Sequence, residues 1–204
     1  MANYHSSPSP EKIADFLRNI SKNCDNDTTM LSIVSGFCYE VFRANPDKLK
    51  EWSGVIAEIN QQELRNTLIG LYPAAAGEKG EILRRECYIK YRNKMGPEPR
   101  IALPTAAQLE QVAANCDMLF ALGAYCASGN LKYPEAMLKY ALSEKVDNKS
   151  MQNAARLSVV ILAMRNENVR KMLKKHLKTA GNDAKEKFFE DFPKQMIQKI
   201  FSEP

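Results

Sequence analysis

Histidine is almost absent from this chain: 204 residues hold two, His5 and His176. A histidine zinc site or a Cys/His nucleophile pair therefore has few places to form. The five cysteines, Cys24, Cys38, Cys87, Cys116 and Cys126, include no C-x-x-C pair and are odd in number. That pattern speaks against a disulfide framework or a zinc ribbon, and for free thiols in a reducing, cytosolic setting. No apolar run approaches the ~20 residues of a membrane span. The opening Met-Ala-Asn-Tyr-His-Ser-Ser-Pro lacks the basic-then-apolar order of a secretory leader. Gly77-Glu78-Lys79-Gly80 is too short for a phosphate loop, and no strand precedes it. No motif calls for a cofactor or a metal.

Strand patterning is missing too, whereas helical periodicity runs through most of the chain. Ile13, Phe16, Leu17 and Ile20 share one face, after Ser9 as a cap and Pro10 at the first helical position. The stripe Met30, Leu31, Val34, Phe37, Cys38, Val41, Phe42 predicts a helix with a wide buried face, capped by Asp27. Asn45-Pro46 ends it. Leu49, Trp52, Val55, Ile56 and Ile59 mark the next helix, with Trp52 in the core, and Leu64, Leu68, Ile69 and Leu71 the one after. A more polar helix is expected over 78–94, with Ile82, Leu83, Cys87 and Ile89 as its apolar residues.

Met95-Gly96-Pro97-Glu98-Pro99-Arg100 resists helix formation, because each proline also restricts the residue before it. Beyond it, a helix from Thr105 to about Ala127 carries Gly123 and Ala124, small enough for close helix approach. It stops at Ser128-Gly129-Asn130. Further helices start near Pro134, Ser150 and Asn166, and short ones carry Phe188, Phe189, Phe192, Ile200 and Phe201. The expected fold is all-α: stacked antiparallel helical hairpins, solenoid-like or an irregular bundle, of about nine to eleven helices. The expected organisation is an N-terminal lobe 1–95, a linker 96–104 and a C-terminal lobe 105–204, which can also pack as one domain.

Charge is uneven. Segment 82–100 holds six bases against two acids, and segment 165–178 six against one, so the rest of the chain is net acidic. In the first segment Arg84, Arg85, Lys90 and Arg92 interleave with Tyr88 and Tyr91, a pattern able to hold phosphates and stack bases. The bland alternative is a solvated helix face whose tyrosines cover the core. In the second, Arg170, Lys171, Lys174, Lys175 and Lys178 are expected opposite Val169, Met172, Leu173 and Leu177, as on a docked amphipathic helix. Asp117, beside Asn115 and Cys116, is the carboxylate most in need of partners if buried.

Two resemblances add to this reading. Cys116-Asp117-Met118-Leu119-Phe120, Tyr125 to Asn130, Ala154-Ala155-Arg156-Leu157-Ser158 and Asn168-Val169-Arg170 resemble a loose group of uncharacterised bacterial helical-repeat proteins. The likeness covers about 105–180, and also 45–71 through Asn45-Pro46-Asp47, Trp52 and Leu64 to Leu71. It implies helical hairpins and a bacterial origin, and no activity. The chain departs from the group at Pro73-Ala74-Ala75-Ala76. Glu186, Glu190 and Asp191, followed by Ile200 and Phe201, are similar to type IV secretion signals of intracellular bacteria. The leading expectation is a non-enzymatic protein-interaction or scaffold module with a protein partner. The alternatives are a secreted effector translocated into a host cell, and nucleic-acid binding through 82–100.

Overall fold

A computed structural model describes residues 4–23, 28–95, 118–143 and 148–202. Among them are twelve α-helices and no strand, so the chain is all-α. The chain divides into two compact units, Met1–Gly129 and Asn130–Pro204. The expected linker 96–104, the caps Asp27 and Thr105, and Asp117 lie outside the described residues. Residues 118–128, expected in the second lobe, belong to the first unit.

The first unit is built around α2 (Thr28–Ala44). Every residue from Val34 to Phe42 is buried, because this helix is covered on all sides. Glu40 lies within that run and ion-pairs with Arg43 at 2.8 Å. Around α2 stand α1 (Ile13–Asn23), α3 (Leu49–Ala57), α4 (Gln62–Gly70), α5 (Tyr72–Lys90), the single turn α6 (Arg92–Met95) and α7 (Met118–Ser128). Helix α2 packs closely on α7. A Cβ added to Gly36 would fall 1.9 Å from the carbonyl oxygen of Phe120, and one on Gly123 1.9 Å from that of Ile33. Two glycines, one on each helix, thus let two backbones touch. Trp52 is fully buried, its ring 5.7 Å from that of Phe42, which also meets Tyr72 edge-on at 5.5 Å. The expected core role of Trp52 is what the structure shows.

The N-terminal residues depart from expectation. Pro10 opens a 3-10 turn, Pro10–Lys12, that runs into α1, and the Ser9 hydroxyl donates to the Ser7 carbonyl instead of capping. Before it, the 3-10 turn Tyr4–Ser6 packs on α7. The Tyr4 ring meets Phe37 edge-on, and His5 Nδ1 lies 3.3 Å from the Cys126 carbonyl at the end of α7. Gly129, at φ +65°, stops α7 as anticipated, its N–H donating to the Tyr125 carbonyl. Helix α5 starts earlier than expected, at Tyr72. Gly77, at φ 58° and ψ −135°, kinks it, and Gly80 beyond the kink packs against the Tyr72 carbonyl.

The second unit contains α8 (Lys132–Ala141), α9 (Lys149–Arg165), α10 (Glu167–Ala180), α11 (Asn182–Phe189) and α12 (Lys194–Ser202). Helix α9 packs on α8 and α10. Asn148 caps α9 by accepting from the Met151 N–H, two residues before the expected start at Ser150. Asn166 caps α10, accepting from Asn168 and Val169. Arg156 ties the later helices to α9. It donates to the Lys187 carbonyl and the Asp191 carboxylate, each at 2.8 Å.

Candidate functional site

Helix α5 decides the fate of the first basic segment. At about 100° per residue, Gly80, Arg84, Cys87 and Tyr88 fall on one side, and that side is buried. Arg84 is 5% exposed and Tyr88 7%. Glu81, one turn earlier, grips Arg84 through both oxygens, at 2.8 and 2.9 Å, and accepts from Arg85 at 2.7 Å. The Arg84 bidentate bond, with Arg85 beside it, holds the Glu81 carboxyl down to about 2. The Arg84 guanidinium also lies over the Tyr88 ring at 5.8 Å, and the Tyr88 hydroxyl donates to Asn66. The six residues proposed for binding in this segment are therefore not one surface. Arg84 and Tyr88 are turned inward; Arg85, Lys90 and Arg92 are exposed and Tyr91 is half-buried.

The opposite side of α5 carries two of the apolar residues expected on this helix. Ile82 is 52% exposed and Ile89 78%. They sit seven residues apart, two turns along one face. Beside Ile89, α3 and α5 frame a cleft of about 400 Å³. Leu83, Cys87, Ile89 and Tyr91 give it an apolar body, and Lys50, Glu86 and Lys90 line it with charge. Lys90 Nζ stands 5.1 Å above the Tyr91 ring.

Buried groups fix the cleft wall. Ser53 donates its hydroxyl proton to the Leu49 carbonyl at 2.7 Å, so the Tyr72 hydroxyl, 3.0 Å away, is the donor to Ser53. Burial pushes the Tyr72 hydroxyl far up from its ordinary range. It also raises the Cys87 thiol. At neutral pH Cys87 is thus a protonated, weakly polar wall element rather than a thiolate nucleophile. Buried Cys38 is pushed up further still.

The second basic segment belongs to the other unit. Lys171, Lys175 and Lys178 are exposed on α10 and Lys174 is half-buried. Lys171 pairs with Glu167 at 2.6 Å. Arg170, expected on the solvent side, is buried, with its Nε donating to the Ala163 carbonyl at 3.1 Å. This helix matches the docked amphipathic arrangement, apart from Arg170. His176 lies 3.4 Å from Glu135, and its Nδ1 3.0 Å from the Met172 carbonyl. Among the described residues no group of three or more His, Cys, Asp or Glu is placed to hold a metal ion. None of their helices is long and apolar enough to cross a membrane.

Comparison with protein-family models, curated proteins and solved structures finds no match to this chain.

Lys50 and Ser53 were not foreseen as part of a site. They lie on α3, and only tertiary packing brings them to α5. Ile82 and Ile89 had a readable signal, since at helical spacing they fall opposite Cys87.

Proposed function

We propose that this chain is a protein-interaction module that meets its partner on the outer face of α5 and the α3–α5 cleft. The observation that carries the reading is Ile89: a large aliphatic side chain, 78% exposed, at the rim of an apolar cleft with charged walls. A single exposed isoleucine is ordinary. One that continues into a cleft, with a second two turns away, has the form of a hot spot with a polar rim. The cleft is small, of a size to take one or two side chains of a partner. Cys87, protonated and packed in the wall, gives it no evident chemistry of its own.

Nucleic-acid binding through the same segment has less support. Glu81 engages both Arg84 and Arg85, and Tyr88 has no open face for a base to stack on. The test is site-specific photo-crosslinking. A photoreactive residue at position 89 is expected to give a discrete heteromeric adduct whose protein component is identified and purified. The same residue at exposed Glu11 is expected to give none. The purified protein should then bind the wild-type chain directly and bind Ile89→Asp at least about tenfold more weakly. Equal adducts at both positions, or equal affinities, would remove the α5 face from consideration.

A further inference from the structure

We infer that the bound segment is an acidic amphipathic helix, which sets an aliphatic side chain in the α3–α5 cleft and carboxylates against Lys50 and Lys90. The inference rests on the reading of the α5 face as a partner surface, and adds the chemistry of the partner.

Shape argues for a helix. Ile82 and Ile89 lie about 10.5 Å apart along α5, the i, i+7 repeat that a second helix aligned beside it presents. The described residues of the chain contain no strand, so they offer no sheet edge on which an extended segment could pair. Charge argues for acids. Residues 81–95 hold five bases and two acids. One of the acids, Glu81, is spent on Arg84 and Arg85. Lys94 is paired with Glu58. Lys50 and Lys90 have no ion-pair partner among the described residues, and Glu86 alone opposes them within the cleft. Carboxylates from a partner would find these bases open, whereas a basic partner would be repelled. A second copy of this chain fits poorly. A two-fold contact through this patch would bring the Lys50 and Lys90 side chains of both copies together.

The probe is a labelled peptide of about 18 residues, long enough to form a helix, with Leu at i, i+4 and i+7 and Glu at the flanking positions. Its companions are the same peptide with Lys in place of Glu, and a labelled single-stranded oligonucleotide. Fluorescence anisotropy is read against the wild type, the double variant Lys50→Glu with Lys90→Glu, and Ile89→Asp. All three substituted side chains are exposed, and matching thermal transitions would establish that the variants remain folded. The wild type is expected to bind the acidic peptide and reject the basic one. The double variant should lose about tenfold in affinity for the acidic peptide and gain the basic one. Ile89→Asp should weaken the acidic peptide by a similar factor.

If Ile89→Asp loses the acidic peptide while the double variant holds it unchanged, the acidic partner is wrong and the α5 face stands. If Ile89→Asp binds as well as the wild type, the face itself is wrong. Binding of the oligonucleotide alone, falling steeply with salt, overturns both in favour of nucleic acid. No binding of the acidic peptide by the wild type overturns the inference.

Discussion

Replacing Gly123 by alanine would add one methyl group where the structure has no room for it. The new Cβ would sit 1.9 Å from the Ile33 carbonyl oxygen, 2.8 Å from its carbon and 2.9 Å from the Phe37 nitrogen. All three are backbone atoms of α2, so no rotamer change relieves the overlap. Helices α2 and α7 must move apart by more than 1 Å or so to reach ordinary contact. Such overpacking costs about 1–3 kcal/mol, and the upper end applies where backbone must shift. Alanine's better helix propensity returns about 1 kcal/mol. The net expectation is a loss of about 2 kcal/mol, read as a lower midpoint in urea unfolding. Gly36→Ala, with its Cβ 1.9 Å from the Phe120 carbonyl oxygen, should behave alike. One separation of the helices accommodates both methyl groups, so the double variant should lose less than the two singles added together. Gly54→Ala on α3 is the control. Its Cβ would meet only the Tyr91 hydroxyl at 3.6 Å, an ordinary contact, and a neutral or stabilising effect is expected. If Gly123→Ala were as stable as the wild type, the α2–α7 crossing described above would be wrong.

Three further outcomes follow from the same geometry. Glu81→Gln should destabilise the chain at neutral pH, because the Glu81 carboxyl is held below its unfolded range. That contribution is fully present above the unfolded value near 4.5 and lost as pH falls towards about 2, so the difference in Tm between variant and wild type should close over that interval. Arg156→Ala should free the turn after α11, and amide exchange at residues 187–201 should quicken while α10 keeps its protection. Up to about 3 kcal/mol is at stake for a guanidinium bonded to both a carbonyl and a carboxylate. A thiol reagent applied to the native chain should label half-buried Cys126 before fully buried Cys38 and Cys87, as read by peptide mass spectrometry. Faster labelling of Cys38 would mean that α2 is not covered.

Much of the helical layout was legible in the residues. The stop at Gly129, at positive φ, follows from glycine's access to that region. The small residues at Gly123 and Ala124 announced a close crossing, although nothing local named α2 as its partner. The basic segments were harder to read, because a count of charges ignores direction. Arg84 follows Glu81 by three positions and Lys171 follows Glu167 by four, the spacings at which helix neighbours neutralise each other. Arg170 lies only about 20° round the helix from Leu177, which a strict helical projection would have caught. The cleft had no such signal. Its α3 wall and its α5 wall are thirty or more residues apart in sequence, and only the packed tertiary structure joins them.

The account rests on the outer face of α5 being a partner surface. Its most direct test is a titration of the protein recovered by crosslinking at position 89 against the wild type, Ile82→Asp, Ile89→Asp and, as a control, Lys171→Ala. Both isoleucine variants should lose about tenfold or more in affinity while melting as the wild type does, and Lys171→Ala should bind unchanged. Undiminished binding by both isoleucine variants would contradict the account.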